Sequence, residues 1–170
     1  HLKVLFAPDT GKLLGAQVVG HDGVDKRIDV LATAMAAGLT VYDLQDLELA
    51  YAPPYGSAKD PVNMAGFVAS NILKGDLKVW QAEDYPARTA AGVIVDVRGK
   101  PAYDAGHVPG AIHLPMAALR SRLQELPTDR PIYVHCKVGF TSYLAARVIA
   151  QSGREVCSLT GGYDTFQAWH

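Results

Sequence analysis

The chain has 170 residues, of which 49% are hydrophobic and 19% charged, a composition typical of a globular protein. The formal net charge of −1 excludes a protein-wide field that would attract nucleic acid or an anionic membrane, so neither is expected as a partner. The longest apolar stretches are too short to span a bilayer. Two cysteines, Cys136 and Cys157, cannot build a disulfide framework, and this usage is typical of the reducing cytoplasm.

The first part of the chain predicts a β-hairpin and a helix. Residues 2–6 and 12–19 are apolar-rich runs separated by a turn cluster with proline and glycine. Apolar residues then recur at helical spacing over residues 24–35, with Asp22 as the predicted N-cap and Gly38 as the predicted stop. We therefore expect two paired strands and one helix ahead of Gly38.

A loop and a second helix follow. Residues 51–63, YAPPYGSAKDPVN, are rich in proline, glycine and serine and predict a loop over most of their length. Asp60 and Pro61 then predict a helix start, because aspartate is a good N-cap and proline fits the first helical position. Gly75 is the predicted end of this helix.

Residues 76–90 have no strong period, and beyond them short apolar runs alternate with helical stretches. We place a domain boundary in this segment, which gives predicted domains at 1–76 and 77–170. The alternation predicts a parallel α/β sheet covered by helices on both faces. The predicted strands cover residues 93–98, 111–115, 131–136 and 155–159, and the predicted helices cover residues 116–126, 141–151 and 163–169.

Cys136 lies between a predicted strand and a predicted helix, where ligands bind in parallel α/β sheets. The backbone N–H groups of the loop from Cys136 to Thr141, together with the dipole of the following helix, would stabilise an anion. This setting favours the thiolate, which is the reactive form of cysteine. Gly139 permits the turn and Lys137 adds positive charge. The competing interpretation is a small buried core cysteine.

Four stretches within residues 78–170 together resemble the rhodanese (sulfurtransferase) family. They are VIVDVR at 93–98, YDAGHVPGAIHLP at 103–115, CKVGFT at 136–141 and LTGGYDTFQAW at 159–169. The resemblance implies a five-stranded parallel sheet flanked by helices. It also implies that Cys136 accepts a sulfane sulfur as Cys–S–S⁻ and passes it to a nucleophile. The loop that surrounds this sulfur would consist of Lys137, Val138, Gly139, Phe140 and Thr141.

Three other conspicuous residues resemble scaffold positions of this family. Asp96 and Arg98 are interpreted as tying loops together by hydrogen bonds, and His107 as organising its own loop rather than acting as a base. Cys157 lies in a predicted strand and is interpreted as a packing residue, with a resolving thiol as the alternative. No metal site is predicted.

The loop departs from many single-domain rhodaneses, because Thr141 stands where they have arginine. Threonine at this place is similar to the two-domain thiosulfate and mercaptopyruvate sulfurtransferases, so the sulfur donor stays open. A cysteine phosphatase of similar fold is the competing enzyme class. It needs a loop one residue longer and an arginine that binds phosphate oxygens in pairs. The next residue here is Ser142, so phosphatase activity is not expected.

Three stretches of the first half are GKLLGAQVVG at 11–20, RIDVLATAMAAGLTVYDLQDL at 27–47 and YAPPYGSAKDPVNMAG at 51–66. Through them, residues 1–75 resemble the C-terminal dimerisation domain of the flavin-dependent pyridine nucleotide–disulfide reductases. The last stretch is most similar to the coenzyme A–disulfide reductases, some of which carry a rhodanese domain after it. This implies a partial α+β domain ahead of the α/β domain. The resemblance implies that the loop with Tyr51, Tyr55 and Lys59 faces the flavin and coenzyme A site of the partner subunit. The alternative for this loop is a rigid packing segment.

A G-x-G-x-x-G fingerprint after a strand, which would bind a dinucleotide, is absent from the chain. We therefore expect a C-terminal piece of a longer, homodimeric reductase whose flavoprotein half is missing. The piece would bind no cofactor alone, whereas the parent would use FAD, NAD(P)H and coenzyme A. Small sulfur donors and acceptors, such as thiosulfate, coenzyme A persulfide or other thiols, are the expected partners. Two alternatives stay open: a non-catalytic docking module with a rhodanese fold, and a stand-alone sulfurtransferase.

Overall fold

The computed structural model describes all 170 residues, which form two compact units, His1–Asp76 and Leu77–His170. None of its helices combines the length and the apolar character needed to cross a membrane.

The first unit is a β-hairpin with three helices. Strands β1 and β2 pair antiparallel, as predicted, and the helices bury one common cluster against them. The short helix α2 was not predicted, because six residues are too few to show a helical period. The elements are β1 (Leu2–Phe6), β2 (Leu13–Val18), α1 (Val24–Ala36), α2 (Val41–Asp46) and α3 (Pro61–Leu73), and the fully buried side chains include Leu31, Val41, Leu44 and Val62.

The two predicted N-caps of this unit have different outcomes. Asp22 is not the cap of α1, because Gly23 occupies that position with a left-handed φ of 64° and makes no side-chain cap bond. Asp60 does cap α3: its carboxylate accepts a hydrogen bond from the Val62 N–H at 3.0 Å. The Asn63 side chain in turn accepts from the Asp60 N–H at 3.1 Å, which completes a capping box.

The second unit is a five-stranded parallel sheet flanked by helices, which confirms the predicted fold. The strand order is β3-β7-β6-β4-β5, and all four neighbouring pairs are parallel. Strand β3 was not predicted, because it lies within residues 76–90, which show no strong period. The strands are β3 (Val79–Trp80), β4 (Val93–Asp96), β5 (Ile112–His113), β6 (Ile132–His135) and β7 (Val156–Leu159), and the helices are α4 (Lys100–Asp104), α5 (Phe140–Ala150) and α6 (Gly162–Trp169).

The predicted helix at residues 116–126 is wrong. Two short 3-10 helices, Met116–Ala118 and Arg120–Glu125, stand there instead. Arg122 leaves the helical region at φ −119°, and the Ser121 hydroxyl donates to the Ala118 carbonyl at 3.0 Å. Serine hydroxyls that bond to nearby carbonyls compete with the i→i−4 ladder, which explains why the segment does not continue as an α-helix.

Strand β6 lies at the centre of the sheet, and all four of its residues are buried. Trp80 is fully buried beside it, with its indole N–H 3.4 Å from the Val134 carbonyl oxygen and its ring 5.8 Å from the Tyr133 ring. Because Cys136 comes directly after β6, the central strand places this residue at the carboxyl edge of the sheet.

Candidate active site around Cys136

Cys136 is held at the N-terminus of helix α5. Its side chain is only 3% exposed, and the backbone N–H of Gly139 donates to its sulfur at 3.2 Å. Gly139 is the N-cap of α5 and has a φ of 109°, a backbone conformation that favours glycine. The turn that brings this amide to the sulfur therefore depends on the glycine of the loop.

Two buried serines form a chain of hydrogen bonds that leads from the Cys136 sulfur to strand β7. The Ser142 hydroxyl lies 3.4 Å from the Cys136 sulfur and 3.0 Å from the Gly139 carbonyl oxygen. The Ser158 hydroxyl on β7 lies 2.9 Å from that of Ser142, and both serines are at most 3% exposed. Sequence reasoning did not find this pair. The sequence signal was Ser158, which lies in a fully buried strand, because a buried hydroxyl needs a hydrogen-bond partner.

The rim of the loop faces solvent. Lys137 is exposed, Val138 and Phe140 are each 60% exposed, and Thr141 is half-buried. The loop therefore surrounds a buried sulfur with one cationic and two apolar side chains.

The first turn of helix α6 is hydrogen-bonded to the backbone of the cysteine loop. The Tyr163 N–H donates to the Cys136 carbonyl oxygen at 2.8 Å, and the Asp164 N–H donates to the Lys137 carbonyl oxygen at 3.0 Å. Gly161 and Gly162 precede these amides with left-handed φ values of 70° and 65°. The Tyr163 and Asp164 amides in the first turn of α6 are thus occupied by carbonyls of the cysteine loop, which fixes the direction of that backbone.

Asp96 and Arg98 form a buried ion pair next to the site. The guanidinium donates to both Asp96 carboxylate oxygens, and it also donates to the Gly106 carbonyl oxygen at 2.6 Å. It lies 4.4 Å from the centre of the Tyr163 ring in α6. Burial opposes ionisation of Asp96, but the Arg98 hydrogen bonds and the neighbouring positive charge outweigh it and lower the pKa of this carboxyl. The pair joins its loop to α6 and makes no hydrogen bond to the Cys136 sulfur.

The two neighbouring histidines have different settings. His107 places Nδ1 2.9 Å from the Tyr103 carbonyl oxygen and stacks on the Tyr103 ring at 3.9 Å, so its contacts lie within its own loop. His135 is fully buried with both ring nitrogens unpaired, and its Nε2 lies 3.7 Å from an Asp96 oxygen. Burial lowers the pKa of His135 to about 4 despite the opposing effect of Asp96. The imidazole is therefore neutral at pH 7.

Cys157 lies on strand β7 in a cluster with Trp80, Tyr133 and Leu159. It is 5% exposed, and burial raises the pKa of its thiol, which disfavours the reactive thiolate. These surroundings are those of a packing residue.

The tyrosine loop of the first unit is open to solvent. Tyr51 is 53% exposed and Tyr55 83% exposed, while the Lys59 ammonium lies 5.3 Å from the centre of the Phe67 ring. The two tyrosines are therefore accessible to a partner, whereas Lys59 packs on Phe67 of the same unit. Nowhere in the chain are three or more histidine, cysteine or acidic side chains grouped so that they could hold a metal ion.

Comparison with protein families gives a match to each unit. Residues 81–168 match the model of the rhodanese-like domain. The chain belongs to the rhodanese-like family. Ahead of this rhodanese domain, residues 1–61 match the dimerisation domain of the pyridine nucleotide-disulphide oxidoreductases.

Individual relatives combine the same two domains or match the first of them. The coenzyme A disulfide reductase of Staphylococcus epidermidis is 52% identical over 69 residues, which are 41% of this chain and 16% of the relative. A reduced Bacillus anthracis CoADR-RHD structure superposes with a TM-score of 0.94 at 46% identity, and a NAD-dependent persulfide reductase from A. fulgidus with 0.87 at 38%. Each of these two comparisons covers 97% of this chain and 30% of the other. The predicted resemblance to the C-terminal part of a coenzyme A–disulfide reductase is therefore confirmed, although the chain spans less than a third of the length of these relatives.

Proposed function

We propose that the rhodanese domain is a sulfurtransferase in which Cys136 carries sulfane sulfur as a persulfide. The observation that carries this proposal is the setting of the Cys136 sulfur, which receives the Gly139 N–H and contacts the Ser142 hydroxyl. A sulfur atom that receives a backbone N–H at the N-terminus of a helix is stabilised in its anionic form, which is the nucleophile.

With thiosulfate as donor, the Cys136 thiolate attacks the outer sulfur of thiosulfate. The S–S bond of thiosulfate breaks, sulfite leaves with the bonding electrons, and Cys136–S–S⁻ remains. An acceptor such as cyanide then attacks the terminal sulfur, so that thiocyanate leaves and the thiolate is restored. Lys137 at the rim favours the approach of the anionic donor.

The test is thiocyanate formation from thiosulfate and cyanide, combined with mass spectrometry of the intact protein after exposure to thiosulfate. We expect the wild-type chain to gain the mass of one sulfur atom and to turn over, and Cys136→Ala to do neither. Cys157→Ala is the matched control and keeps both properties, because that thiol is buried on strand β7. Equal rates for wild type and Cys136→Ala, with no added sulfur, would instead indicate a docking module without catalysis.

The parent protein in this proposal is a homodimeric, FAD- and NAD(P)H-dependent reductase of coenzyme A disulfide or of persulfides. The names of the relatives support it, as does the match of residues 1–61 to a dimerisation domain. Both cysteines of the chain are free, which suits the reducing cytoplasm as its location.

The residues of this chain do not fit FAD or NAD(P)H. Such cofactors place a pyrophosphate on free amides where a strand leads through glycines into a helix. At the junction of this kind around Gly161 and Gly162, the next two amides, those of Tyr163 and Asp164, already donate to carbonyls of the cysteine loop. We assign both cofactors to the flavoprotein half of the parent.

Coenzyme A is a better match to the exposed loop of the first unit. Tyr51 and Tyr55 offer exposed phenol groups, and Lys59 offers an ammonium group for phosphate. In the parent these side chains would contact coenzyme A bound to the partner subunit. The test is Tyr55→Ala in the full-length reductase: we expect slower reduction of coenzyme A disulfide with unchanged flavin content and thermal stability. An unchanged rate would remove Tyr55 from the proposal.

A further inference from the structure

We propose that Ser142 and Ser158 form a relay that redirects one hydrogen bond from the Gly139 carbonyl to the Cys136 sulfur when the thiol proton is lost. The two serines act as positioning residues for the sulfur. Ser142 contacts the sulfur directly, and Ser158 acts through Ser142.

The number of hydrogen bonds that the Ser142 hydroxyl can donate and accept is the basis of the relay. A serine hydroxyl donates one hydrogen bond and accepts two. While Cys136 is a thiol, the Ser142 hydroxyl donates to the Gly139 carbonyl oxygen at 3.0 Å. It accepts from the Ser158 hydroxyl at 2.9 Å and from the Cys136 thiol at 3.4 Å. All three hydrogen-bonding positions of Ser142 are then used.

Loss of the thiol proton to solvent leaves the sulfur and the Ser142 oxygen facing each other without a hydrogen between them. Rotation of the Ser142 hydroxyl about its Cβ–Oγ bond restores the contact, because the hydroxyl then donates to the sulfur. No heavy atom has to move, and the one hydrogen bond given up is that from the Ser142 hydroxyl to the Gly139 carbonyl oxygen. The Ser158 hydroxyl keeps donating to Ser142 in both states, which polarises the hydroxyl toward the anion.

The Gly139 carbonyl tolerates the rotation because it has a second donor. The Tyr143 N–H, in the first turn of α5, donates to the same oxygen at 3.0 Å. The carbonyl therefore stays hydrogen-bonded when the Ser142 hydroxyl turns away. The Gly139 N–H remains on the sulfur throughout, so the anion gains one donor and loses none.

In the persulfide form, the Cys136 sulfur likewise needs a hydrogen from the Ser142 hydroxyl. The sulfur of Cys136 carries no hydrogen once it is bonded to a sulfane sulfur, and the Ser142 hydroxyl is again the group that donates to it. This part of the inference rests on the proposed sulfurtransferase function, whereas the thiolate part does not.

The test is the rate at which iodoacetamide alkylates Cys136 across the pH range in which thiols ionise, in the sulfur-free 170-residue chain. Mass spectrometry of the Cys136 peptide separates this reaction from that of Cys157. The variants are Ser142→Ala, Ser158→Ala and the double variant. The matched control is Ser121→Ala, because Ser121 also donates to the carbonyl three residues earlier, at 3.0 Å, but lies on the surface.

We expect Ser142→Ala to alkylate roughly tenfold more slowly below the alkaline plateau and to reach the plateau at a pH about one unit higher. Ser158→Ala shows a smaller change in the same direction. The double variant is no slower than Ser142→Ala alone, because Ser158 acts only through Ser142. Circular dichroism establishes that each variant is folded, and Ser158→Ala decides the question if Ser142→Ala does not fold.

A pH profile of Ser142→Ala or Ser158→Ala that coincides with that of Ser121→Ala would overturn the relay and leave the two hydroxyls as mutual packing partners. Additive effects in the double variant would overturn the role of Ser158. Failure of the wild-type chain to take up sulfur from thiosulfate would overturn the proposed function and leave the alkylation result unaffected.

Discussion

Gly162 lies directly against the backbone of Lys137. A Cβ at Gly162 would overlap the Lys137 carbonyl group and would lie 2.6 Å from the Val138 nitrogen. The same glycine has a left-handed φ of 65° and begins the helix whose amides bind the cysteine loop. The close approach is therefore what allows α6 to fix the loop around Cys136.

Gly162→Ala should abolish most sulfur transfer, because the loop backbone has to move away from the added methyl group. Gly153→Ala is the matched control, since Gly153 also has a left-handed φ, of 80°, but its added methyl group would meet no other atom within 4 Å. Both variants should lose about 1 kcal/mol of unfolding free energy from the backbone conformation alone. Thiocyanate formation and urea unfolding measure the two effects. Equal activity of the two variants would contradict a role for the close approach.

Asp96→Asn should destabilise the protein by about 3 kcal/mol, because it leaves the Arg98 guanidinium buried without its counter-charge. Arg98 is only 10% exposed and Asp96 not at all. Asp129→Asn is the control, since the Asp129–Arg130 pair is exposed and its loss should leave the unfolding midpoint unchanged. Urea unfolding at pH 7 measures both variants. A midpoint for Asp96→Asn equal to that of the control would show that the buried pair contributes nothing to stability.

The sequence predicted those parts of the fold that local patterns determine. Strands β4, β6 and β7 are short, largely buried and mostly apolar runs, and their alternation with helices indicated the parallel sheet. The predicted helix at 116–126 was wrong, because the Ser121 hydroxyl and the non-helical backbone of Arg122 interrupt the α-helix that the composition of the segment favours. The N-cap of α1 is Gly23 and not Asp22, because Gly23 has a left-handed conformation and the helix begins one residue later than predicted.

In the candidate site, too, the sequence predicted the local features but not the contacts between residues far apart in the chain. The position of Cys136 between a strand and a glycine-containing loop is local, so the sequence revealed it. The contact of Ser142 with Ser158 joins residues 16 positions apart through the docking of α5 on β7, and no local pattern encodes it. The unpaired ring of His135 beside Asp96 likewise depends on the register of β6 against β4.

Lys137→Gln should raise the KM for thiosulfate about threefold and leave kcat nearly unchanged, because an exposed charge at the rim assists the approach of an anion. The difference from wild type should disappear at high salt, where exposed charges are screened. Lys26→Gln removes an exposed charge from the first unit and should have no effect. Steady-state kinetics at low and high ionic strength give the comparison. A salt-independent effect on kcat would indicate instead that Lys137 contributes to the chemical step.

His135 should make the protein less stable in mild acid. The pKa of the buried imidazole is lowered from 6.5 to about 4, so the unfolded chain binds a proton at a higher pH than the folded protein does. The stability that this difference provides is complete above pH 6.5, is lost as the pH falls, and levels off below about pH 4. The loss over this window is on the order of 3 kcal/mol.

His135→Leu removes the titrating group at similar volume and should flatten the dependence of the unfolding free energy on pH within this window. His21→Leu, at an exposed position, is the control and should keep the wild-type slope. Urea unfolding at a series of pH values measures all three proteins. A His135→Leu slope as steep as that of wild type would show that the imidazole is charged, or rehydrated, in the folded protein. The unpaired ring nitrogens beside Asp96 would then have found a partner on protonation.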